Sequence, residues 1–179
     1  MAVLICILVV AALILLWWIG TYNGIKKLEI KVNEGLSGID VALTKRYDVL
    51  TKLLDVVKAY QKHEKEILSE VIRLRSGITM QERNIANQQM DTAFGRINML
   101  AESYPELKSS NNFMQLQHAI VDTEEHLQAA RRLYNSNVTA YNGMIVTFPN
   151  SIVAGSMGAV AKEFFEAEAA KRQDVMMNF

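Results

Sequence analysis

His118, Asp122 and His126 are the side chains whose spacing first suggests chemistry. Set four residues apart, they fall on one face of a helix with Glu125 close by, where they could approach a metal ion. The rest of the pattern that such chemistry needs is missing. A carboxylate di-iron site in a helical bundle takes Glu-x-x-His from each of two helices, and no histidine here has Glu three places before it. His63-Glu64 lacks the second histidine of the zinc-protease helix. No lysine follows the glycines of the Gly155–Gly158 stretch, so there is no Walker loop, and no Ser or Cys nucleophile motif occurs. The histidine stripe therefore reads as plain surface. The expectation is a non-enzyme with no catalytic residues, no metal and no cofactor.

A second spacing lies in "RRLYNSNVTAYNGMIVTFPN", residues 131–150. Tyr134-Asn135 precedes Tyr141-Asn142 by seven residues, and Phe148-Pro149 follows after seven more. Phe113, Ile120, Leu127, Tyr134, Tyr141 and Phe148 form one column of a heptad pattern; Gln117, Glu124, Arg131, Val138 and Ile145 form its companion. The tyrosines are thus seam residues, and packing explains their spacing without a ligand. Packing does not explain Glu124 and Arg131 in an inward column, because an unpaired buried charge is very costly. The expected remedy is a polar layer shared with an earlier helix, where Asp40, Arg46 and Asp48 flank Tyr47, fixing register more than adding stability.

The elements that must position these residues follow from apolar spacing. Ile25, Leu28, Val32, Leu36, Ile39, Leu43, Tyr47, Leu50, Leu54 and Val57 step 3, 4, 4 in repeats of eleven, a nearly straight helical stripe. Asp48, Lys52, Asp55, Lys58 and Lys62 form its solvated face. This helix is expected to run to Arg75, where Ser76-Gly77 stops it. Residues 78–90 are polar and poorly periodic, as in a loop or a weak helix start. Met90, Phe94, Ile97, Ala101 and Tyr104 then mark a helix ended by Pro105. After Pro149 a last helix is expected, with Val153, Met157, Val160 and Phe164 on one face. Nothing alternates as a strand would, so the class is all-α. "MIVTF" and "SIVAGSMGAV" make an apolar hairpin, either a packed corner or a surface for another subunit or for lipid. Its residues are Met144, Ile145, Phe148, Ile152 and Val153.

The 179 residues suit one domain plus an appendage. Nineteen basic and nineteen acidic side chains give no basic excess, which argues against nucleic acid as a partner. The single cysteine, Cys6, excludes an intramolecular disulfide and a Cys-based zinc site. From Met1 to Ile19 no side chain is charged or strongly polar, and a helix of that length rises ~28 Å, close to the hydrocarbon core of a bilayer. Trp17, Trp18 and Tyr22 stand at its end, where aromatic rings settle at the membrane interface. A cleaved signal would begin with basic residues and end on small ones; this segment does neither, so a retained anchor is expected. Gly20 and Gly24 form a GxxxG, suited either to helix–helix contact or to a flexible junction. Lys26, Lys27 and Lys31 follow the span, which favours an outside N-terminus and a cytoplasmic body. The organisation is then an anchor over 1–20, a bundle over 21–172 and a tail over 173–179.

The ordered set of motifs resembles the LemA family of bacterial membrane-anchored proteins. It comprises Tyr22-Asn23, "IDVALTKRYDVLTKLLDVVKAYQKHE", Tyr104-Pro105, Leu107-Lys108, Phe113, Leu116-Gln117, Thr123-Glu124, Arg131, the two later Tyr-Asn pairs, Phe148-Pro149 and Phe165. One departure is Thr51, where the family often has proline; without that kink the first helix should be straighter. The resemblance implies an antiparallel four-helix bundle, its first long helix able to continue the single transmembrane span. It implies residence in the bacterial cytoplasmic (inner) membrane, and it supplies no catalytic activity. Some relatives are associated with building specialised membranes such as those of magnetosomes. Two readings follow. One is a coiled-coil-like scaffold that self-associates into a homo-oligomer and organises or shapes the lipid bilayer. The other is a membrane-tethered adaptor for a soluble protein partner.

Overall fold

A computed structural model describes residues 1–58 and 79–165. The helices are α1 (Ala2–Lys58), α2 (Met80–Ser103), α3 (Pro105–Lys108), α4 (Asn111–Val146) and α5 (Asn150–Ser156). No strand occurs among the described residues. The expected run of the first helix to Arg75 and the 173–179 tail lie outside them.

α1 is unbroken from the apolar N-terminus into the 3, 4, 4 stripe. Every side chain from Met1 to Ile19 except Trp18 is exposed, whereas Ile25, Val32, Ile39, Leu43, Leu50 and Val57 are buried. This part of α1 is long and apolar enough to cross a membrane. Thr51 sits inside the helix and donates its hydroxyl to the Tyr47 carbonyl, 3.0 Å.

Three elements sharpen or change the spacing-based expectation. Of the two alternatives for residues 78–90 the helix start holds, and α2 begins at Met80 because Thr79 and Glu82 close a capping box: the Glu82 N–H donates to Thr79 Oγ1, and the Thr79 N–H donates to Glu82 Oε2 at 2.6 Å. Two otherwise orphaned donors are satisfied, which offsets the segment's weak apolar pattern. α4 stops at Val146, so Phe148 leaves the heptad column and is 81% exposed. Pro149 disfavours helical backbone at the residue before it. The last helix is only seven residues long and ends at Ser156; Gly158, two residues on, has a φ of +62° that suits glycine and closes the turn. Residues 159–165 carry no helix, so Val160 and Phe164 extend no helical face.

The chain forms two compact units. The first combines Met1–Leu36 with Leu133–Phe164. There α1 and α4 run antiparallel: Gly24 faces Met144, the Lys31 carbonyl accepts from Asn137 Nδ2 at 2.8 Å, and Gly35 faces Tyr134. A Cβ at Gly35 would lie 3.0 Å from the Tyr134 Cα, so the glycine permits this close approach. Ile25, Val32, Tyr134, Val138, Tyr141, Ile145 and Val153 fill the core.

The second unit takes Ser37–Arg132 and the chain from Phe165. Asp40 meets Arg83, and Arg46 meets Asn87 and Asp91, so α2 runs in the same direction as α1. Asn98 on α2 meets Gln117 on α4 at 2.7 Å while Asp91 and Glu124 share Arg46, so α4 opposes both. Buried Leu43, Leu53, Met90, Phe94, Ile97, Leu107, Phe113 and Leu127 line the interior.

Candidate functional site

Arg46 is the centre of the second unit's polar cluster. It is 4% exposed and lies on the buried stripe of α1. Its guanidinium donates to Asn87 Oδ1 and Asp91 Oδ1 on α2, sits 2.9 Å from Glu124 Oε2 on α4, and lies over the Phe94 ring at 5.4 Å. Asn87 Nδ2 in turn donates to Asp91 Oδ2. One cation thus ties three helices together in the planar, multi-donor way that favours arginine over lysine. The tie is imperfect: Arg46 Nε and Glu124 Oε2 are buried without an aligned hydrogen bond. The 2.9 Å approach is therefore an ion pair, not a well-aligned fork.

Of the residues expected in a polar layer, Arg46 and Glu124 meet. Asp40 does not join them; it forms a two-pronged pair with Arg83, 2.6 and 2.8 Å. Asp48 is exposed, because it projects from the face of α1 away from the stripe. Arg131 lies over the Phe165 ring at 4.7 Å. Arg83, Asn87 and Asp91 are members that apolar spacing missed. Their signal was a polar i, i+4, i+8 stripe on an inward face.

The first unit holds a clasp on residues 159–164. Asn142 Nδ2 donates to the Lys162 carbonyl, and the Lys162 N–H donates to Asn142 Oδ1, at 2.9 and 2.8 Å. Tyr134 Oη donates to the Glu163 carbonyl at 2.8 Å. Lys162 Nζ reaches Glu29 at 3.4 Å and the Tyr141 ring at 5.7 Å. Glu29 also accepts from Lys26 Nζ at 2.9 Å; that bond lowers the Glu29 pKa and raises that of Lys26. In the second Tyr-Asn pair, Tyr141 packs in the core and Asn142 captures backbone; in the first, Tyr134 packs and its hydroxyl captures a carbonyl.

Trp17 and Trp18 meet edge to face, centroids 6.4 Å apart, and Trp17 and Tyr22 are exposed. Gly20 has open space beside it, but Gly24 is covered by Met144, whose Cε lies 2.8 Å from where a Cβ would stand. That face of the GxxxG is occupied within the chain. In the apolar hairpin, Ile145 and Val153 are buried core residues, not surface; the antiparallel packing turns them inward. Phe148 and Ile152 are exposed and Met144 is half-buried.

His118, Asp122, Glu125 and His126 are exposed on α4, and among the described residues no three metal-ligating side chains converge. The family model for LemA matches residues 35–179. The chain belongs to the LemA family. A LemA protein of Metamycoplasma hominis is 28% identical over 163 residues, covering 88% of this chain and 74% of the relative. Magnetosome protein MamQ of Magnetospirillum gryphiswaldense and Magnetosome protein MamQ 2 of Paramagnetospirillum magneticum are each 27% identical over 78 residues. Those matches span 44% of this chain and 29% of each relative. With its candidate membrane-crossing helix, this LemA-family chain is a membrane-associated helical protein. The match begins at residue 35, so Arg46, Asn87, Asp91, Glu124 and the Asn142 clasp all fall within it.

Proposed function

We propose that this LemA-family protein is a non-enzymatic, single-pass scaffold of the bacterial cytoplasmic membrane. Copies associate laterally into a homo-oligomer and so organise or shape the lipid. The observation that supports this reading most is α1 itself. One helix carries the apolar stretch of residues 2–19, exposed except at Trp18, and then, without a break, the buried stripe of the folded body. Such an element couples lipid to protein mechanically. The polar cluster supports the same reading, because its charges are engaged with one another in joining helices. Lys26, Lys27 and Lys31 favour a cytoplasmic body. The relatives named as magnetosome proteins make a membrane-organising role a natural proposal for this chain. Size analysis of the full-length protein in mild detergent tests it: a multiple of the protomer mass is expected, and a strictly monomeric particle would overturn the scaffold.

A cavity of about 530 Å³ in the second unit favours an adaptor as the second reading. It is lined by Ala101, Phe113, Met114 and His118 among others, an apolar floor with a polar rim suited to a protein partner. Stoichiometric capture of a soluble protein that is lost in Met114→Glu would favour it.

A further inference from the structure

We propose that the turn joining α4 to α5 is a second membrane contact, entering the lipid interface beside the end of the span. The inference rests on the anchoring part of the proposed function and adds a site to it. Three observations carry it, all within the first unit.

The first is register. Met144 covers Gly24, and α4 approaches it antiparallel to α1. Two residues further along α4, Val146 comes level with Tyr22, and the helix ends there, so the turn lies at the end of α4 that points toward Gly20 and the tryptophans. Those aromatic residues stand where the apolar segment ends, so a spanning α1 sets the membrane boundary at the height of the turn.

The second is exposure. Val146 is 70%, Phe148 81% and Ile152 53% exposed, in a turn where Ile145, Val153 and Ala154 are buried. Three large apolar side chains project from a packed corner that has no need of them. Water is a poor solvent for such a group.

The third is charge. From Leu133 to Ala161 there is no charged side chain, in a chain that is 21% charged. The next charge is Lys162, and it is held beside Glu29, which also binds Lys26. The charged groups of both segments thus gather at one level, below which the turn and α1 are uncharged. Interfacial insertion needs this sorting: apolar groups at the acyl boundary and charges at the headgroups.

The occupant is therefore lipid, contiguous with the lipid around α1. The test is nitroxide labelling of the full-length protein in vesicles of phosphatidylethanolamine and phosphatidylglycerol, with collision measured against oxygen and a water-soluble nickel chelate. Native Cys6 reports the anchor. In a Cys6→Ser background, Phe148→Cys and Ile152→Cys report the turn, Tyr22→Cys the interface, and Val121→Cys, exposed in the second unit, the water reference. The expected result is that labels at 148 and 152 lose nickel collisions and gain oxygen collisions relative to 121, matching 22. Nickel access at 148 and 152 equal to that at 121, with Cys6 shielded, would overturn the inference while leaving the anchor intact. Shielding from both reagents would overturn it in favour of burial against a second copy. Free nickel access at Cys6 would overturn the anchor, and this inference with it.

Discussion

Arg46 shows how a single side chain sets the cost of error in this protein. It is buried, while its partners Asp91 and Glu124 keep about a third of their side chains in water. Removing a buried partner of an ion pair costs ~3–5 kcal/mol; partial solvation of the carboxylates brings Arg46→Ala to about 2–3 kcal/mol, read as a lower urea midpoint. Lys58→Ala, which breaks an exposed pair with Asp55, should change stability by less than ~0.5 kcal/mol. Glu82 sets a pH dependence of another kind. The Thr79 N–H and hydroxyl donate to its carboxylate and lower its pKa. A carboxyl lowered on folding stabilises the fold above its unfolded value, and that contribution disappears as pH falls through the folded one. Amide protection factors in the first turn of α2, corrected for the intrinsic exchange rate at each pH, should therefore fall as acid protonates Glu82, and Glu82→Gln should remove that acid-induced change. No acid response there beyond that of the helix centre would contradict the capping role.

At the scale of elements, legibility followed the apolar side chains. The 3, 4, 4 stripe gave α1 and the heptad column gave α4 up to Tyr141, since both patterns record burial directly. The start of α2 is written in Thr79-Met-Gln-Glu82, but a cap is a polar signal that apolar period does not carry, so spacing alone leaves loop and helix start both open. Arg83, Asn87 and Asp91 are polar too, so apolar period carries no sign that they partner Asp40 and Arg46. The clasp was illegible for a different reason: Asn142 binds a peptide group, and a peptide group has no letter in the sequence. Asn142→Ala removes two hydrogen bonds and exposes two backbone groups, at ~1–3 kcal/mol. Limited proteolysis within 159–164 should become markedly faster, with α4 unchanged. Unaltered protection would mean that Tyr134 and Lys162 hold the segment without it.

At the scale of the whole molecule, the span should dominate membrane attachment. Each exposed side chain of the α4–α5 turn adds at most ~1.5–3 kcal/mol on full burial, against the whole apolar run of residues 2–19 in α1. Deleting residues 2–20 should move the protein from the membrane pellet to the supernatant without loss of far-ultraviolet helical signal from the remainder; persistent pelleting would refute that ranking. The continuity of α1 across Gly20 and Gly24 has one more consequence, and it concerns azimuth. A helix advances about 100° per residue, so one extra residue between Gly20 and Ile25 would swing Trp17 and Trp18 a quarter-turn or more around the axis relative to the core stripe. Seven extra residues would return them to within ~20° of their starting bearing. Spacing across this junction is thus constrained modulo the helical repeat, while the identity of the residues that fill it is constrained much less.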